Sequence, residues 1–359
     1  MDNARFHVLD GMRGVAAIGV VLYHLGLWTT TGWLVPRGYL AVDFFFCLSG
    51  FVIAYAYEER LGCGMRFGRF LTSRVIRLYP VVILGMVLGG LYTAAMALGG
   101  GQPFAPRDVA LAFVPNLFLI PVVGVQSPIS ASLYPINSPF WSLFYELLIN
   151  MAWALGLRRI SPYILFGAAV VVSVLTIGGL NSIDIGSNYD QLGWGVLRVT
   201  LGFSAGLVVY RLHRAGLDRR LPRLPATVLL GGLIALMAVP GLNVWFDLVC
   251  VVLVFPLVTL LGAATAPGSA AAERACVWLG DVSYPLYGIH RPLCLAGLVV
   301  VTHLVPGASG TAVAIIGGLA GTLCAATIAF HWYDVPVRRL LGRLRARPAA
   351  DNTGRATPA

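Results

Sequence analysis

Residues 9–28 read LDGMRGVAAIGVVLYHLGLW, an apolar run interrupted by Asp10, Arg13 and His24. About 20 apolar residues is the length a helix needs to cross hydrocarbon. At 3.6 residues per turn, the steps from Arg13 to His24 close to within about 20° of three full turns. The two side chains therefore share a face, about 16.5 Å apart along the axis, with Asp10 one turn below Arg13. These polar groups would break the core of a cleaved leader, so the segment is expected to stay in the mature protein. An ionisable side chain within a bilayer costs roughly 2.5–3.5 kcal/mol, so each one calls for a partner or a task. Arg13 pairing with Asp10 at the membrane edge, and His24 as a bonded core histidine, are the structural alternatives to a reactive pair.

Comparable apolar windows fall near 39–57, 76–98, 140–157, 161–179, 191–212, 225–243, 245–266, 278–304 and 311–333. The chain of 359 residues is 58% apolar and 11% charged. Soluble domains run at roughly 45–50% and about 25%. That balance excludes a soluble globule, a disordered chain and a nucleic-acid binder. The net charge of +10 comes from 25 arginines with no lysine. Guanidinium stays charged and suits phosphate and lipid headgroups. Six scattered cysteines have neither disulfide-framework nor zinc-ligand spacing, so no metal is expected.

Arginines set the topology. With ten spans and a cytoplasmic N-terminus, Arg5, the 58–77 connection, Arg158, Arg159, the 211–223 connection, Arg274 and the arginines beyond 337 all lie inside. Arg37 and Arg107 alone fall outside, and Arg13, Arg198 and Arg291 sit within spans. An eleventh window, 108–123, is short and holds Pro115 and Pro121; counting it as a span would put Arg158 and Arg159 outside. The positive-inside rule favours ten spans with both termini cytoplasmic. The expected fold is an all-α polytopic helical bundle over residues 1–339, with 340–359 a basic, disordered cytoplasmic tail. The glycine steps at 85–89, 202–206 and 317–321 predict close helix packing.

Other embedded polar residues mark a site. Asp43 opens the second span, followed by Phe45, Phe46, Ser49 and Gly50, where a hydroxyl and a gap among aromatics could admit a narrow acyl or pantetheine chain; helix packing is the alternative. Arg74 and Arg77, one turn apart at the start of the third span, could hold a phosphate with two guanidinium forks or simply anchor the helix on anionic lipid. Ser142 and Glu146 share a face of the fourth span. Glu146 has no local cation, so it is expected either beside His24, orienting the imidazole, or in a salt bridge to Arg198 or Arg291. Ser283, Tyr287 and His290 form a polar stripe in the ninth span. Pro285 and Pro292 interrupt its helical bonding, which suggests a polar chamber.

These segments in order resemble the acyltransferase-3 family of membrane O-acyltransferases. The resemblance rests on LDGMRG with Arg13 and His24 in R-x10-H, on VDFFFCLSGF (Asp43, Phe45, Phe46, Ser49), and on RVIRLYP (Arg74, Arg77). FWSLFYE (Trp141, Glu146) and VSYPLYGIH (Ser283, Tyr284, His290) complete it. One departure is Asp334 before Val335-Pro336, where the family commonly has Glu. The resemblance implies transfer of an acyl group, typically acetyl, from cytoplasmic acyl-CoA to a hydroxyl of a surface or exported carbohydrate or glycolipid. The enzyme would sit as a multi-pass protein in the bacterial inner membrane, with no permanently bound cofactor. Arg74, Arg77, Ser49, Phe45 and Phe46 are the implied donor site. Asp43, Trp141, Ser283, Tyr284, Tyr287 and His290 are the implied acceptor chamber. His24 is the implied general base, with Glu146 and Arg13 beside it, and an acyl-histidine intermediate stays open. Family members often carry a fused esterase-like domain, and here a stand-alone membrane unit is expected. The rival readings are acylation of a macrolide or lipid, and a secondary transporter using the same buried groups.

Overall fold

The computed structural model describes residues 5–29, 34–99, 106–124, 132–180, 182–241, 243–305 and 307–346. Within them the chain is a helical bundle without extended strands. The helices are α1 (His7–Trp28), α2 (Leu40–Gly62), α3 (Phe67–Leu98), α4 (Pro106–Leu117), α5 (Phe140–Leu155), α6 (Pro162–Ile177) and α7 (Leu192–Arg214). They continue with α8 (Ala226–Met237), α9 (Val244–Val249), α10 (Phe255–Ala264), α11 (Ala270–Leu304), α12 (Ala308–Ala329) and α13 (Val335–Ala346). A π turn, Cys250–Val254, joins α9 to α10, and another, Phe330–Asp334, joins α12 to α13. Each of the ten apolar windows carries a helix. Seven of these helices are long and apolar enough to cross a membrane, and α5, α6 and α8 are shorter apolar helices. Leu91, Ile164, Leu175 and Ile316 face outward, as side chains solvated by lipid do.

Local chemistry accounts for the ends. The Ser269 and Asn243 side chains accept from Ala272 N–H and Phe246 N–H, capping α11 and α9. Gly64 and Gly216 take positive φ just past α2 and α7, where a side chain would be strained. Pro115 lies inside α4, a helix of 12 residues. At about 1.5 Å per residue that is about 18 Å, the same length as α8 and short of the roughly 30 Å hydrocarbon core.

Contacts fix the helix directions. Gly11 meets Cys276 and Gly14 meets Leu279, so α1 and α11 run parallel. Gly202 meets Phe46, and Gly206 meets Cys47 and Gly50, so α2 and α7 also run parallel. Arg74 reaches Glu146 near the start of α3, whereas Asn137, just ahead of α5, reaches Gly85 further along it. Helices α3 and α5 are therefore antiparallel, and the segment holding α4 leaves and returns on one side. The glycine step at 85–89 packs closely, against Gly288 and Ile136, and that at 202–206 against α2. The step at 317–321 does not: a Cβ on Gly317 or Gly321 would meet open space, and only Gly318 touches Leu25. Gly50 likewise opens no channel, because the backbone of Phe203 fills its gap.

Helix α13 runs unbroken past residue 340 to Ala346, so the expected disordered tail begins as helix; residues 347–359 lie outside the described residues. Helix α11 also continues through both prolines. Pro292 lacks the N–H that would reach the Gly288 carbonyl. The buried Asn137 amide supplies it instead, donating to Gly288 O at 2.8 Å and to Gly85 O at 3.3 Å.

Asp43 is fully buried and accepts two bonds from Arg198, at 2.8 and 2.7 Å, pinning α2 to α7. Arg198 also stacks over Trp141 at 5.3 Å. Removing one partner of such a pair strands the other charge. Arg198→Met should cost about 3–5 kcal/mol in detergent thermal unfolding, and the double variant Arg198→Met/Asp43→Leu should recover much of that loss.

Candidate active site

A cavity of about 480 Å³ opens between α1, α2, α3, α5 and α11. Its polar end holds Arg5, Asp10, Arg13, Arg74 and Arg77. Its far end is formed by Phe45, Phe46, Ser142 and Tyr287. The parallel packing of α1 on α11 builds the first wall. Arg13 is 3.1 Å from Asp10, donates to Ser283 Oγ at 2.9 Å and donates to the Gly280 carbonyl at 2.7 Å. Arg5 bridges Asp10 and Asp281 at 2.7 and 2.8 Å.

Glu146 belongs to this cavity rather than to His24. One carboxylate oxygen accepts from Ser49 Oγ at 3.0 Å and from Arg74 Nη2 at 3.2 Å. The reason is direction: antiparallel packing of α5 on α3 sets Glu146 level with Arg74, well below the end of α1 where His24 sits. Neither Arg198 nor Arg291 pairs with it among the described residues; Arg198 holds Asp43 and Asp184, and Arg291 donates to the Ile136 carbonyl. Arg77 lies over the Tyr284 ring at 5.8 Å, and that hydroxyl donates to the Leu78 carbonyl. Arg77 is thus a cavity arginine with no carboxylate in direct ion-pair contact among the described residues, although Asp334 is near enough to feel its charge.

The residues of the expected acceptor chamber separate into four places, His290 beside His24 being the fourth. Asp43 and Trp141 form the buried Arg198 cluster. Ser283 and Tyr284 line the polar part of the cavity. Tyr287 closes its far end, with its hydroxyl 2.5 Å from Ser142 Oγ and 3.0 Å from the Pro139 carbonyl.

Beyond that wall stands a pair of histidines. The Tyr287 carbonyl is 2.8 Å from His290 Nδ1, and His290 Nε2 is 3.2 Å from His24 Nδ1. The His24 ring points inward, stacked on Trp28 with centroids 5.2 Å apart. Sequence reasoning missed this meeting, because the register of α1 on α11 is a matter of glycine packing. It also missed Asn137, whose signal was a lone amide ahead of a Pro-Phe-Trp helix start.

With this geometry in view, comparison with known proteins is decisive. The profile of the acyltransferase-3 family, described as an acyltransferase domain, matches residues 6–331. The chain belongs to the acyltransferase-3 family. It is accordingly a multi-pass membrane O-acyltransferase. It is similar to protein 2 in the picA locus of Rhizobium radiobacter, 38% identical over 159 residues that cover 42% of this chain and 81% of that protein. A provisionally named membrane-bound transacylase of Komagataeibacter xylinus, BcsY, is 26% identical over 82% of this chain and 74% of its own. A provisionally named O-acetyltransferase of Staphylococcus aureus is 26% identical over 65% of this chain, which spans only 35% of that longer protein. No solved structure matches.

The Arg74–Glu146 contact predicts coupling. In a double-mutant cycle of Arg74→Ala and Glu146→Gln, detergent thermal unfolding should show about 0.5–3 kcal/mol of interaction energy. Additive effects would mean that the two side chains do not support each other.

Proposed function

We propose that this acyltransferase-3 protein moves an acyl group, best represented by acetyl, from cytoplasmic acyl-CoA to a hydroxyl of an exported or surface carbohydrate. The observation that carries the reading is the cavity itself: arginines at one end, Ser49 among aromatic side chains along it, and Tyr287 closing the other end, with the His24–His290 pair just beyond that wall. The arginine-rich end is taken as cytoplasmic by the positive-inside rule, with ten crossings and both termini inside. Arg5, Arg69 and Arg345 gather at that end, where Arg345 donates to the Arg69 carbonyl, in keeping with this orientation. The host membrane is then the bacterial inner membrane.

In this mechanism Arg77 meets the donor phosphates, and Arg74, held by Glu146, adds a second guanidinium. The pantetheine arm follows Ser49 and Phe45 toward Tyr287. The acceptor hydroxyl loses its proton to His24 as its oxygen attacks the thioester carbonyl carbon. Collapse of the tetrahedral adduct breaks the C–S bond, and the imidazolium returns the proton to the departing thiolate. The products are an ester and free coenzyme A. Positioned proton transfer of this kind contributes about 10²–10⁴-fold.

Purified protein given acetyl-CoA and a glycan acceptor should release free thiol. His24→Ala should lower that release by about 10²–10⁴-fold while donor binding persists. Arg77→Ala should instead raise the donor KM with little change in kcat. Equal loss of donor affinity in both variants would overturn this division of roles. Solute transport without thiol release, retained in His24→Ala, would favour a transporter.

A further inference from the structure

We infer that His290 is a positioning residue that fixes which nitrogen of His24 is free to act as the base, the place the sequence reading gave to Glu146. The inference rests on the proposed role of His24. Its argument begins at a backbone carbonyl, which can only accept. The Tyr287 carbonyl lies 2.8 Å from His290 Nδ1, so a neutral His290 carries its proton there and keeps a lone pair on Nε2. That lone pair faces His24 Nδ1 at 3.2 Å. The Val20 carbonyl, another pure acceptor, lies 3.0 Å from the same His24 nitrogen. Both neighbours are satisfied only when His24 carries its proton on Nδ1, shared between them.

The lone pair of neutral His24 is therefore on Nε2. That atom has no hydrogen-bond partner among the described residues, and it is not among the sealed, unpartnered polar atoms of the bundle. Stacking on Trp28 holds the ring plane while the Nδ1 bonds hold its rotation. When Nε2 accepts a proton, Nδ1–H still points at Val20 O and His290 Nε2, so no second proton has to move. His290 is completely buried on α11, and its own proton is committed to the carbonyl one turn below. A second histidine thus does the orienting that a carboxylate performs in a Ser-His-Asp triad.

The test uses the purified full chain with acetyl-CoA and a glycan acceptor. His290→Phe should lower kcat by about 10²-fold while the donor KM stays within about twofold. His290→Gln places an amide oxygen near the position of Nε2, where it can accept from His24, and should recover to within about tenfold of the parent rate. Nitrogen-15 NMR of histidine-labelled protein reads the tautomer directly, with the His24 signals assigned by their loss in His24→Gln. The expected spectrum has His24 protonated on Nδ1 and bare on Nε2 in the parent, and a mixture of tautomers in His290→Phe. A parent His24 protonated on Nε2, an unimpaired His290→Phe, or a folded His290→Gln as inactive as His290→Phe would each overturn the inference. Should His290→Phe fail to fold, the parent tautomer decides alone. An active His24→Ala would instead sink the base assignment, a separate outcome.

Discussion

The structure depends on how closely α1 approaches α11. Gly11, Gly14 and Gly280 leave no room for a side chain between the two backbones: a Cβ on Gly11 would press on Cys276, one on Gly14 on Leu279, and one on Gly280 on Asp10. In lipid, where apolar side chains gain little by leaving their surroundings, such contact supplies much of the force that holds helices together. It also sets their register. Because the helices run parallel, one alignment brings Arg13 to Ser283 at the lower end and His24 to His290 at the upper.

Polar matching does the rest. The bilayer offers no water to the carbonyl that Pro292 leaves free or to the Asp43 carboxylate, so the protein answers each from within, with Asn137 and Arg198. The same rule shapes the cavity wall, where Glu146 is used to hold Arg74 and Ser49. Charge in this bundle is layered: Asp10, Glu146 and their arginines gather at the lower end, and Arg198 holds Asp43 toward the upper end, where the two imidazoles also meet.

Much of this was legible in the chain. Each of the ten apolar windows carries a helix, seven of them long and apolar enough to cross a membrane, and the window 108–123 carries only the short α4. The shared face of Arg13 and His24 followed from helical periodicity alone. Partnerships across helices were not legible. Glu146 was set beside His24 because both looked unpaired in sequence, yet the direction of α5 against α3 decides the matter. Asp43 looked like a chamber wall until Arg198, 155 positions away, closed over it. The Gly317 and Gly321 step carried the same sequence signal as two packing motifs and packs on nothing, since spacing reports opportunity and not a neighbour.

The short stretch ahead of α5 is stitched to α11 along its length: Ile136 O accepts from Arg291, Asn137 donates to Gly288 O, and Pro139 O accepts from Tyr287. Those three anchor points bracket His290. Loosening that seam would let the imidazole drift without altering any reacting atom. The linker is therefore where temperature-sensitive alleles should cluster, in changes that leave the enzyme intact at low temperature and idle a few degrees higher.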